Sequence, residues 1–265
     1  MTTSDPTSAG LRDRVEDAAR SFARAARRRV ELLRRDVSVE NAHTPPLKYI
    51  FGEVGAYAEP VRRLFRDELP IEKSATPRTI LLLPGFATSA WRMKYLAEQL
   101  ERAGHKVKRW GLGYNFGPTP ENFDFLSRRL CSVRERYDRK VVLVGWSLGG
   151  VFAREIAKRQ PDCVEKVITL GSPFGHTPYS NNLWHVYEMV AGHAVDAPPV
   201  DVDTHEKPPV ETVAFWSPRD GVVSRRAATG LPAERDRVVA LRCSHMGFCN
   251  SPEVVQALIA ELERR

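Results

Sequence analysis

Val141-Val142-Leu143-Val144-Gly145-Trp146-Ser147-Leu148-Gly149-Gly150 decides the fold of this chain. The four apolar residues read as a strand. Gly145-Trp146-Ser147-Leu148-Gly149 then forms G-x-S-x-G, and Val151-Phe152-Ala153-Arg154-Glu155-Ile156 continues as a helix. A strand that becomes a helix across this pentapeptide is a nucleophile elbow, with the serine hydroxyl exposed above the sheet. A Cβ at Gly145 or Gly149 would collide with the neighbouring element. The pentapeptide alone is a weak signal, and a strand-turn-helix corner with an idle serine is the competing reading. The strand before it and the helix after it favour the elbow.

Outward from the elbow, short apolar runs alternate with amphipathic stretches. Strands are expected at 79–83, 106–110, 141–144, 167–170, 212–216 and 238–241. Helices are expected at 91–103, 122–137 and after Ser251, which is read as the cap of the last helix with Pro252 at its first position. A further short helix is expected at 60–68, with Val61, Leu64 and Phe65 on one face. The pattern predicts an α/β fold: an open, mostly parallel sheet of about six strands with helices on both faces. An N-terminal amphipathic helix precedes it. Residues 1–40 form that extension and 41–265 the main domain, interrupted by a lid-like insertion at 174–209.

The chain of 265 residues is long enough for one sizeable α/β domain. No apolar run approaches the roughly 20 residues that span a bilayer, and the first residues lack the pattern of a secretory signal. A cytoplasmic protein is therefore expected. Cys131, Cys163, Cys243 and Cys249 match no zinc spacing and read as reduced thiols; Cys243 and Cys249 are near enough in sequence to pair in an oxidising compartment. The net charge of +7 is largely local: residues 11–36 hold nine arginines against five acids. The rest is mildly basic, a poor argument for nucleic acid.

Residues 1–10 read as disordered. In the helix at 11–36, Leu11, Val15, Ala18, Phe22, Ala26, Val30 and Leu33 share a face and arginines crowd the other. That stripe fits packing against the domain or a second copy, a peripheral contact with an anionic membrane surface, or a loosely held extension.

A serine hydroxyl needs a base within hydrogen-bond reach, and the base needs an acid. In a parallel sheet these groups collect at the C-terminal ends of strands. Of seven histidines, His245 alone follows the last strand and precedes the last helix. His43 and His105 are at the wrong end; His176, His185, His193 and His205 lie in or beside the insertion as surface or lid residues. Asp220 follows the fifth strand and is the expected acid, with Asp196, Asp201 and Asp203 as competitors inside the insertion. The order Ser147, Asp220, His245 is that of this architecture. The expected oxyanion donors are the backbone N–H groups of Leu148 and Phe86, the latter on the loop Pro84-Gly85-Phe86-Ala87.

Leu83-Pro84-Gly85-Phe86, the elbow, Thr169-Leu170-Gly171-Ser172-Pro173, Ser217-Pro218-Arg219-Asp220-Gly221-Val222-Val223 and Ser244-His245 together resemble the α/β-hydrolase superfamily, in particular compact bacterial lipase-like esterases. The resemblance covers residues from about 78 to 265. It implies Ser147 as nucleophile, Asp220 as acid and His245 as base. Two departures are visible: Pro84 stands where many relatives carry histidine before glycine, and the first two strands of the full fold are missing, so the sheet is trimmed at its start.

Around the site, Trp146, Asn115, Trp184 and Tyr187 are the candidate substrate-binding residues. Asn115 either binds a substrate carbonyl or supports its own loop. Trp184, Tyr187 and Met189 either form a lid favouring an apolar acyl or alkyl group or plug the sheet edge as core. The expected activity is hydrolysis of a small-molecule carboxylic ester through an acyl-enzyme, with no metal and no organic cofactor. The alternatives are acyl transfer or thioester hydrolysis on the same triad, and a non-catalytic binding module.

Overall fold

The computed structural model describes residues 6–35, 37, 42–55, 58–63, 65 and 68–264. In chain order the principal elements are α1 (Pro6–Arg34), α2 (Ile50–Gly55), α3 (Glu59–Arg63), β1 (Thr79–Leu83), α4 (Lys94–Arg102), β2 (Lys106–Arg109), α5 (Pro120–Tyr137), β3 (Val141–Trp146), α6 (Leu148–Arg159) and β4 (Val164–Leu170). They continue with α7 (Trp184–Ala191), β5 (Glu211–Trp216), α8 (Arg225–Thr229), β6 (Arg237–Ala240) and α9 (Pro252–Glu263). The six strands form one sheet in the order β2-β1-β3-β4-β5-β6, and every pairing is parallel.

Alternate residues of the central strands feed two separate cores. Ile80 and Leu82 of β1 join Leu96 and Leu100 of α4 and Val255 and Leu258 of α9. Leu81 and Leu83 face the other way, toward Phe123 and Leu126 of α5 and Phe152 and Ile156 of α6. A strand covered on both faces needs apolar residues at every position, which is why Thr79–Leu83 and Val141–Trp146 read as unbroken runs. The edge strands β2 and β6 have partly exposed faces and carry Lys106, Lys108, Arg109 and Arg237. Strand order reverses at β1 and β3, where Leu83 lies opposite Gly145. The crevice beyond those strand ends is the place where ligands bind in such sheets.

Several expectations change on folding. The stretch 91–103 starts as a 3-10 turn, Ala90–Met93, before becoming α4. Ser251 makes no side-chain hydrogen bond to the start of α9; the Pro252 ring sets that first turn instead. Among the described residues of 60–68, helix covers 60–63, as part of α3, and Val61 and Phe65 are exposed, while Leu64 lies outside the described residues. The expected disorder of 1–10 is replaced by helix over 6–10, where α1 begins, and residues 1–5 lie outside the described residues.

The face that α1 turns to the domain is not its apolar stripe. Phe22, Val30 and Leu33 are exposed, while Ala25, Arg29 and Leu32 are half-buried. The reason is polar. Arg29 Nε donates to Met189 O at 2.8 Å and Arg29 Nη2 to Val190 O at 3.4 Å, serving carbonyls of the last turn of α7. Arg35 Nη2 pairs with Asp196 Oδ2 at 2.6 Å. The side chains of Leu11 and Val15 lie outside the described residues. No described helix is long and apolar enough to cross a membrane.

Candidate active site

The elbow forms where the G-x-S-x-G pattern places it. Ser147 sits between β3 and α6 with φ 54° and ψ −125°. For a residue with a side chain this costs on the order of 1–3 kcal/mol. Neighbouring bonds hold it: Ser147 N donates to Leu170 O at 2.9 Å, and Gly150 N donates to Ser147 O at 2.9 Å. The two glycines are sterically required. A Cβ on Gly145 would lie 2.2 Å from Gly149 O, and one on Gly149 would lie 2.1 Å from Leu83 O.

Asp220 and His245 come from the loops after β5 and β6, and both are buried. His245 Nδ1 donates to Asp220 Oδ2 at 2.8 Å. The other carboxylate oxygen, Oδ1, accepts from Val222 N and Val223 N, each at 2.8 Å. Trp146 Nε1 donates to His245 O at 3.1 Å, so the base loop is tied to the elbow strand. Ser217 Oγ donates to Cys243 O at 2.5 Å, which ties the ends of β5 and β6 together. Burial pushes the His245 imidazole down, but the Asp220 charge, its hydrogen bond and the Glu53 carboxylate outweigh that and hold it above 6.5.

Ser147 and His245 line one cavity of about 220 Å3. Phe86, Leu148, Phe152, Val223 and Met246 give it apolar walls, and among the described residues no lysine or arginine lines it. Trp146 lines it as well. Phe86 sits on the loop after β1, its ring 4.9 Å from that of Tyr187. Tyr187 is the residue of α7 that reaches the cavity wall, one turn after Leu183, which also lines it.

Trp184 and Asn115 are not placed for substrate contact. The Trp184 ring packs edge-on against Tyr179 at 5.0 Å and does not line the cavity, because its position on α7 points it away from the Leu183–Tyr187 face. Met189 is exposed and is also off the wall. Asn115 is fully buried and both ends of its amide are occupied: Nδ2 donates to Pro84 O at 2.8 Å and Oδ1 accepts from Gly117 N at 3.2 Å. Its backbone also binds the loop, accepting from Ala87 N at 2.7 Å. Asn115 therefore shapes the loop that carries Phe86.

Among the competing acids, Asp196 also lines the cavity, but the partner of His245 is Asp220. Asp196 pairs with Arg35, and Asp203 Oδ1 accepts from His205 N at 3.0 Å. His205 Nδ1 bonds Glu234 Oε1 at 2.7 Å, and His105 Nδ1 accepts from Arg78 N at 3.1 Å. Two residues gain a place that residue-by-residue reading did not give them. His176 lines the cavity with φ 62°; its position just after Ser172-Pro173-Phe174-Gly175, beyond the end of β4, was the available signal. Glu53, on α2, accepts from His245 N at 2.7 Å, and nothing in its local sequence marks it. All four cysteines are free, and the close pair is Cys131 with Cys163, their sulfurs 3.0 Å apart, rather than Cys243 with Cys249.

Known proteins agree with this architecture. The mature lipase of Bacillus licheniformis superposes with a TM-score of 0.55 at 16% identity, over 74% of this chain and 96% of that one. A lipase-esterase related protein from Clostridium acetobutylicum gives 0.54 at 12% identity, over 73% and 96%. A hydrolase from Pseudomonas aeruginosa gives 0.51 at 15%, over 73% and 91%. At such identities the likeness is one of fold. No curated protein matches the sequence significantly. The model of the alpha/beta hydrolase family matches residues 80–260, from β1 into α9 and across the elbow, and this chain belongs to that family.

Proposed function

We propose that this protein is a serine hydrolase of carboxylic esters with a small or medium apolar acyl or alkyl group. The observation that carries the reading is the buried Asp220–His245 pair at 2.8 Å, whose histidine lines the cavity that Ser147 also lines. With Nδ1 engaged by Asp220, the second ring nitrogen is left to take the Ser147 proton. Ser147 Oγ attacks the ester carbonyl, and the oxyanion is met by the Leu148 N–H at the start of α6 and by the Phe86 N–H. His245 then protonates the leaving alcohol. In the second half it takes a proton from water as the water oxygen attacks the acyl-enzyme, then returns that proton to Ser147 Oγ as the Oγ–acyl bond breaks and the acid leaves.

The cavity supports the substrate class. Its walls are mostly apolar, and its volume falls below the roughly 300–1,000 Å3 of sites for drug-sized ligands. The test is a fluorophosphonate probe followed by p-nitrophenyl esters of increasing acyl length. Labelling of the wild type and none of Ser147→Ala, with hydrolysis strongest at short to medium chains, supports the reading. A wild type that neither labels nor hydrolyses any ester in the series refutes it and leaves a binding module.

A further inference from the structure

Glu53 lies on α2, before the stretch matched by the family model, and takes no part in the chemistry just described. It is buried, with both carboxylate oxygens spent on the loops that carry the acid and the base. Oε1 accepts from Gly221 N at 2.9 Å and from His245 N at 2.7 Å. Oε2 accepts from Met246 N at 2.8 Å. Hydrogen bonds to an ionised acceptor are roughly twice as strong as neutral ones. The chain leading to Glu53 presses on the same place: a Cβ on Gly221 would lie 2.6 Å from Tyr49 O. Asn182 Nδ2 adds a bridge, donating to Pro45 O at 3.0 Å and to Gly221 O at 2.8 Å.

We propose that Glu53 is a positioning residue for His245. One carboxylate gathers the backbone amides beside Asp220 and at His245, so the pair is held in register with Ser147 from behind. The inference rests on the serine-hydrolase reading. A clamp of this kind acts through placement, and a displacement near 1 Å of a catalytic group costs about 10²-fold in rate. The carboxylate also adds negative charge near the imidazole. The charged groups around His245 are Asp220 from the β5 loop, Glu53 from α2, and Arg92, whose Nη2 donates to Met246 O at 3.3 Å. The aromatic neighbours Trp146 and Phe248 are uncharged.

The experiment compares the full-length wild type with Glu53→Gln, which keeps size but removes the charge and one acceptor oxygen. Two readouts are taken: steady-state hydrolysis of p-nitrophenyl butyrate, and the His245 imidazole titration by NMR. The expected result is a fall in kcat of about 10- to 100-fold, KM within about threefold, and a titration moved to lower pH. A variant that melts earlier yet keeps the wild-type kcat and titration overturns the proposal. If Glu53→Gln does not fold, Glu53→Asp carries the test, since it keeps the charge on a stem one methylene shorter. It should lose kcat, and an unchanged kcat overturns the clamp. If the wild type hydrolyses nothing and takes no fluorophosphonate, the hydrolase reading fails by itself, and the NMR titration alone still decides whether Glu53 governs His245.

Discussion

Replacing Gly149 by alanine tests how tightly the elbow couples packing to chemistry. The added Cβ would lie 2.1 Å from Leu83 O, 2.6 Å from Leu83 C and 2.7 Å from Pro84 O. All three atoms are backbone at the end of β1, which is paired through Leu83 to Gly145 in the middle of the sheet. They cannot swing aside as a side chain would. To reach even 3.0 Å, the lower bound of real Cβ contacts, the start of α6 must retreat by about 0.9 Å. Overpacking of this kind costs about 1–3 kcal/mol, and the better helix propensity of alanine offsets up to about 1 kcal/mol of it. The net loss of stability should be about 1–2 kcal/mol in urea unfolding. The Leu148 amide moves with the helix, and a shift near 1 Å predicts a fall in kcat/KM of about 10²-fold. Gly113→Ala is the control, because nothing lies within 4 Å of its Cβ. Retention of kcat/KM within threefold in Gly149→Ala, with an unshifted unfolding midpoint, would refute the reasoning. Loss of stability with full kcat/KM would refute the coupling alone.

Three other outcomes are expected. The His245 imidazole is held above 6.5, and the base must be neutral, so kcat/KM should rise with pH through a limb centred above 6.5. The stability from the same pair should run the other way: it is full below the unfolded value near 6.5 and lost as pH rises through the higher folded value. A limb at or below 6.5 contradicts both. Lys166 is buried between Glu261 Oε1 at 2.9 Å and Glu211 Oε2 at 3.0 Å, joining β4, β5 and α9. Lys166→Met should cost about 3 kcal/mol in urea, the low end for a broken buried pair, because Arg237 still bonds both glutamates; a loss under about 1 kcal/mol contradicts this. Finally, Arg29→Ala with Arg35→Ala should release α7 from α1. Hydrogen exchange over 184–191 should speed about fivefold, as loss of about 1 kcal/mol of partly exposed contacts implies, while unchanged exchange means that α1 does not hold the insertion.

How far the chain could be read without its structure differs from residue to residue. The central strands were visible because burial on both faces favours apolar residues at successive positions, which leaves a run in the sequence; β4 was read only from Val167 because Glu165 and Lys166 break its run. Ser147 was visible because its turn needs Gly145 and Gly149. His245 and Asp220 were visible because the strand-end rule leaves few candidates. Asn115 and Trp184 were candidates for substrate by their position on the loop after the second strand and in the insertion, yet direction is set by neighbours: Asn115 meets Pro84 O, and Trp184 meets Tyr179. The apolar stripe of α1 gave the right element, and of the uses it allowed, packing on the domain falls instead to the face with Ala25, Arg29 and Leu32. Arg29 reaches two carbonyls of α7 on that face, a contact that only the folded chain brings about.

Local chemistry, then, fixed the strands, the elbow and the order of serine, acid and histidine along this chain, because each leaves its mark within a few neighbouring residues. Which groups meet was settled by folding alone. Glu53 and His245 stand 192 residues apart. Their bond exists because a helix from the beginning of the chain lands on two loops near its end, and no short stretch of sequence records a contact closed over that distance.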